Sequence, residues 1–125
     1  MSGAVFTLYG IPSCDTVKRA RAWLTASSIE HVFHDFKTKG VPLVELDVWI
    51  QRIGWDALVN KKGTTWRKLD PATQAAIVDA KSARALMLRE PSIIKRPVAM
   101  FRVGAADMQL SVGYVPDAWA SWTKS

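Results

Sequence analysis

Between Ala4 and Gly10 the chain reads AVFTLYG, a short apolar run of β-favouring residues that has the pattern of a buried strand. Beyond the turn-forming Ile-Pro-Ser, Val17, Ala20 and Leu24 recur at helical spacing as far as Ala26. Basic Lys18, Arg19 and Arg21 fill the surface between them. HVFHDF, residues 31–36, reads as a second strand, so the first third of the chain is a βαβ unit with a right-handed crossover expected. Leu43, Leu46, Trp49, Ile50 and Ile53 fall on one face of a helix that stops near Gly54. Asp70 followed by Pro71 is an N-cap with proline at the first helical position. Ala83, Leu86 and Met87 belong to a further helix, with Pro91 just beyond it. RPVAMFRVGAADMQLSVGY, residues 96–114, predicts a hairpin turning between Gly104 and Asp107. Ala118, Trp119 and Trp122 set an apolar stripe on a short last helix.

The resulting order is β-α-β, a helical block over about 41–95, then β-β-α. Without the block, this is the element order of an α/β domain of thioredoxin-like fold. At 125 residues and 49% hydrophobic content the chain suits one ordered domain, 1–125. No run approaches the roughly 18 apolar residues of a membrane-spanning helix, and the first residues do not read as a secretory leader. A single cysteine excludes an internal disulfide framework and a cysteine-rich metal centre. The expected setting is therefore cytoplasmic, without membrane. His31 and His34 lie three apart in the expected second strand and point to opposite faces, so no metal site is expected. A net charge of +6 calls for an anionic partner. No zinc-finger spacing, aromatic RNA-binding signature or arginine-rich tail accompanies the cations, so nucleic acid is not the expected one.

The candidate chemistry centres on Cys14, in YGIPSCDTV. A lone cysteine is commonly a small buried hydrophobe. This one follows a strand and a Gly- and Pro-containing loop, and it opens a helix. If the helix begins at Ser13 or Cys14, free backbone N–H groups and the positive helix end favour the thiolate, which is the nucleophile. Lys18, four residues on, adds a cation on the same face, while Asp15 opposes a second negative charge. Position 17 is valine, so there is no Cys-x-x-Cys pair. Oxidised Cys14 must then be a mixed disulfide, a sulfenic acid or an intermolecular bridge, and turnover needs an outside thiol.

PSCDTVKRARAWL, GTTWRKL and KRPVAMF followed by LSVGY resemble the arsenate reductase-like family that includes ArsC and Spx, most of all its YffB-type branch. The resemblance runs from about residue 4 to 122. It implies a thioredoxin-like domain with an inserted helical block, in which Cys14 matches the reactive cysteine. Arg96 matches an arginine that stabilises anions near that sulfur. Pro97 matches the proline beside the active site, usually preceded by a cis bond. A guanidinium independently suits an oxyanion or carboxylate.

This chain departs from the arsenate reductases at Gly10, Ile11, Pro12 and Ser13, where they carry His-Asn-Pro-x. It also lacks their further arginines, near Asn60 and Lys61 and near Val112, which places arsenate reduction third among the readings. The first is a glutathione-dependent thiol reductase with catalytic Cys14 and Arg96 and supporting Ser13 and Lys18. Glutathione would be a co-substrate, with no tightly bound cofactor. Lys61, Lys62, Thr64 and Arg67, with Pro97, would bind it, its partner being an unknown disulfide or oxidised substrate. Trp66 reads as an anchor of that basic loop in the core. The second reading is a redox-inactive binding module of Spx type, with RNA polymerase or another acidic protein as partner.

Overall fold

The computed structural model describes residues 4–104 and 107–124. The chain folds as two compact units, one made of the residues up to Phe36 together with those from Arg96 onward, the other of Lys37–Lys95.

In the first unit, strand β1 (Ala4–Gly10) lies between β2 (Val32–Asp35) and β3 (Val98–Val103), and β4 (Met108–Val112) completes the order β2-β1-β3-β4. β1 runs parallel to β2 and antiparallel to β3, which runs antiparallel to β4. A parallel neighbour cannot be reached by a tight turn; the crossover is helix α1 (Asp15–Ala26). Register sets Leu8 opposite Ala99 and Phe6 opposite Phe101, so period-two alternation sends all four to one face. That face forms a core with Ala20 and Leu24 of α1 and Trp119 of the last helix, α8 (Pro116–Thr123) in order of the chain. The Trp119 ring meets Phe6 edge-on at 5.9 Å, an arrangement favoured by the aromatic quadrupoles. Its buried indole N–H donates to Ser111 Oγ at 2.9 Å.

The second unit is helical: α2 (Phe36–Lys39) leads into it, followed by α3 (Leu43–Ile53), α4 (Trp55–Leu58), α5 (Thr64–Arg67), α6 (Pro71–Ala75) and α7 (Ala80–Arg89). A 3-10 turn, Pro91–Ile93, follows α7. Leu46, Trp49, Leu58, Ala83, Leu86, Met87, Ile93 and Ile94 are fully buried. Asp70 caps α6 by accepting from the Thr73 N–H at 2.7 Å. Asp79 and Ser82 form a reciprocal capping box on α7.

The structure refines several expectations. β2 is shorter than residues 31–36: it begins after His31, and Phe36 already starts α2. Leu43 heads α3 but is 54% exposed, because the first turn of that helix leaves its apolar face uncovered. Trp66 is half-buried rather than a core anchor. Of the expected hairpin turn, Ala105 and Ala106 lie outside the described residues.

The end of β1 and the first turn of α1 press together at Gly10, where a Cβ would meet Val17 Cγ2 at 2.7 Å. Val17 is fully buried and branched at Cβ, so it has little freedom to yield. Gly10→Ala is expected to destabilise the protein by about 1–3 kcal/mol, measured as a lower urea midpoint at unchanged slope. In a Val17→Ala background the same change should cost measurably less; equal cost in both backgrounds would place the strain elsewhere.

Candidate active site

Cys14 is the N-cap of α1, with extended backbone angles of φ −74° and ψ 126°. Two backbone bonds hold it there. Its N–H donates to the Ile11 carbonyl at 3.1 Å, closing the Pro12–Ser13 turn. Its carbonyl accepts from the Lys18 N–H at 2.9 Å, the first bond of the helix. Ile11 is buried and ties the loop down. The thiol is the chain's single cysteine, and it is half-buried.

Burial alone pushes the Cys14 thiol up, since the charged form loses solvent. The Val17 amide, the Arg96 side chain by hydrogen bond and by charge, and the Thr16 amide outweigh that cost. The thiol therefore titrates below its ordinary value. The sulfur makes no close capping bond of its own to the helix; the Val17 and Thr16 amides and Arg96 favour the thiolate without one. Because helix N–H groups at this end have no intrahelical acceptor, they are available to an anion.

Arg96 lies at the start of the segment that becomes β3, and a cis peptide bond joins it to the buried Pro97. Its Nε is buried. The cation that acts on the sulfur is thus Arg96, eighty-two positions further along the chain. Lys18, expected to add a further cation on the same helix face, is exposed, as are Ser13 and Asp15. Near the C-terminal end of β1, Tyr9 packs against His34 at 5.1 Å and Phe36 at 6.5 Å. His31 lies outside the strand and holds its Nδ1 at 2.8 Å from the Ile29 carbonyl oxygen.

The basic loop residues gather in the helical unit. Lys62, Thr64 and Arg67 are exposed. Lys61 is engaged: its Nζ contacts Asp56 at 3.1 Å and stands 5.5 and 5.6 Å from the ring centres of Trp55 and Trp66. The loop's shape comes from Asn60, whose Oδ1 accepts from the Lys62 N–H at 3.2 Å and whose carbonyl accepts from Gly63 at 3.3 Å.

Since the folded thiol titrates below the unfolded one, thiolate is present in the fold at pH values where a free cysteine is still protonated. Between the two pKa values the unfolded state binds more protons, so this group adds stability as pH rises and loses that contribution as pH falls through the folded value. The alkylation rate of Cys14 plotted against pH is expected to rise with a midpoint below the ~8.5 of a free cysteine. Arg96→Met should move that midpoint up; an unmoved midpoint would remove Arg96 from the site.

The ArsC family model matches residues 9–122. The chain is 42% identical to an uncharacterized protein of Haemophilus influenzae over 96 residues, 77% of this chain and 83% of that one. It is 26% identical to the global transcriptional regulator Spx 1 of Oceanobacillus iheyensis over 113 residues, 89% of this chain and 81% of the relative. Among solved structures, the YffB (PA3664) protein is 42% identical and superposes with a TM-score of 0.83, covering 95% of this chain and 99% of its own. With the helix-capping cysteine, the sheet and the helical unit all present, the chain belongs to the ArsC family.

Proposed function

We propose that this protein is a thiol-redox enzyme that works through Cys14 alone, reducing a disulfide by way of a mixed disulfide that glutathione resolves. The observation that carries the reading is one half-buried thiol at a helix N-terminus, favoured as thiolate by the Val17 and Thr16 amides and by Arg96. Family membership supports a thiol-redox role at the coarse level.

The Cys14 thiolate attacks one sulfur of the substrate disulfide, forming a new S–S bond as the other sulfur leaves with the electron pair of the old one. Arg96 and the amides hold the anion before attack and the leaving thiolate after it. The chain has no second cysteine, so a glutathione thiolate attacks the mixed disulfide from outside. Cys14 is released as thiolate, and a disulfide containing glutathione departs. The exposed Lys62, Thr64 and Arg67 of the helical unit are the proposed contacts for the glutathione carboxylates and backbone.

A second reading has its own support. The chain matches a transcriptional regulator, Spx 1, over most of its length, and in residues 37–95 Lys and Arg outnumber Asp and Glu by eleven to six. That excess suits an acidic protein partner such as RNA polymerase.

Brief exposure to oxidised glutathione, followed by intact-mass spectrometry from pH 5 to 9, separates the two. The enzyme reading expects one glutathione adduct, formed fastest at alkaline pH, absent in Cys14→Ser and removed by excess glutathione. A folded protein that stays unmodified, and that captures an acidic partner equally well with Cys14→Ser, would establish the binding reading instead.

A further inference from the structure

Strand β1 runs further than its parallel neighbour. Its ladder with β2 opens at Thr7 opposite Val32, whereas its ladder with β3 continues through Phe6, Val5 and Ala4. Among the described residues, the main chain over 4–6 is therefore laddered on its β3 side only. Backbone N–H and C=O groups along a strand turn alternately to its two sides, so this stretch presents unladdered groups toward the lane that β2 leaves empty.

That lane is a notch of about 600 Å³. One wall is the β1 edge, and the other is the turn from α1 into β2, Thr25 with residues 28–31. The turn is held in place. The Ser28 N–H donates to the Thr25 carbonyl at 3.1 Å and the Ile29 N–H to the Leu24 carbonyl at 3.0 Å. His31 Nδ1 lies 2.8 Å from the Ile29 carbonyl oxygen, and the Ile29 side chain packs against the core beneath the sheet. The notch is thus formed before anything enters it.

Two observations define what fits. Alternation puts Val5 on the face of Thr7, which Thr7 shares with its neighbour Val32. Val5 is 51% and Val32 55% exposed, so an apolar side chain laid in the lane covers both. Among the described residues that line the notch, Glu30 is the one carboxylate, exposed at the rim, and there is no Lys or Arg, on a chain of net charge +6. The complement is a cation beside an apolar residue. A second copy does not supply it: the chain's other edge strand, β4, reads MQLSV and carries no charge.

We propose that this notch binds an extended segment of another protein, apolar with a flanking Lys or Arg, added to the sheet as a strand in line with β2. Main-chain bonds to β1 give the attachment, Val5 and Val32 select the apolar residue, and Glu30 selects the cation. Three paired residues span about 10 Å, well below a standard interface, so the complex is weak and exchanging. The notch stands at the opposite end of β1 from Gly10, about 20 Å away at ~3.3 Å per residue. It therefore acts apart from Cys14 and does not depend on the redox reading.

The test is titration of the isotope-labelled full-length chain with the capped peptide acetyl-Lys-Val-Lys-Val-Lys-amide, followed by backbone amide shifts. Saturable shifts are expected at residues 4–7 and 28–32, with a Kd in the millimolar range or below. Glu30→Lys, a change at an exposed position, should raise that Kd about three- to tenfold. The same peptide with Glu in place of Lys should bind no better to the unmodified protein than the original does to Glu30→Lys. Strand pairing uses the amides of alternate guest residues, so N-methylating either the valines or the lysines should abolish binding while methylating the other set leaves it. Binding that survives methylation of both sets overturns the proposal, because no ladder is then formed. Absence of saturable shifts at residues 4–7 and 28–32 with millimolar peptide, or shifts centred elsewhere, overturns it as well. Concentration-dependent shifts of the same amides without peptide, matched by a dimer in sedimentation equilibrium, would assign the notch to a second copy and overturn the proposed partner.

Discussion

The contact between the last residue of β1 and the first turn of α1 governs the chemistry of this chain. Gly10 leaves no room for a Cβ against the Val17 side chain, so the strand end lies directly against the first turn of the helix, and only Ile11, Pro12 and Ser13 separate it from Cys14. That brevity puts Cys14 at the N-cap, where its carbonyl starts the helix and its sulfur faces amides that the helix cannot itself satisfy. A longer loop or a wider approach would leave a cysteine near the helix but outside the reach of its N–H groups.

The second half of the site comes from across the sheet. β3 pairs antiparallel with β1, with Val98 opposite Tyr9, so the residues just before β3 arrive at the end of β1 from which the Cys14 loop leaves. Arg96 is among them. Sheet register, maintained by the Phe6, Leu8, Ala99, Phe101 and Trp119 core, therefore sets the separation between a thiol and a guanidinium distant in sequence. Desolvation of the sulfur works against the thiolate, and only the combination of amides and guanidinium reverses it. The same burial that raises the cost of charge also strengthens each donor, because less water competes.

Much of the architecture was legible from residue pattern. Strand β1, helix α1 and helix α3 follow directly from apolar spacing, and Asp70 caps α6 as its neighbour Pro71 suggested. Local pattern was less informative where two apolar signals overlap. Phe36 continues the β-favouring run of β2, yet it is the first residue of α2. Leu43 shares the helical spacing of Leu46 and is exposed all the same. Periodicity identifies a face but carries no information on whether another element covers the whole of it.

At the site, the sequence by itself determined that one thiol stands at a helix start and that it has no internal partner, because strand, turn and helix propensities are local. Arg96 was legible there only as what the family resemblance implies; what brings it to the sulfur is tertiary structure. Lys18, four residues away, is close in sequence and exposed, whereas Arg96 is remote in sequence and brought near by strand pairing. The role of Gly10 was equally hidden, since a glycine at a strand end is also compatible with an ordinary turn. The pairing of Lys61 with Asp56 and its approach to two tryptophans were likewise hidden. In each case the deciding quantity is a distance between residues whose separation along the chain says nothing about it, and such distances exist only once the sheet register and helix packing are formed.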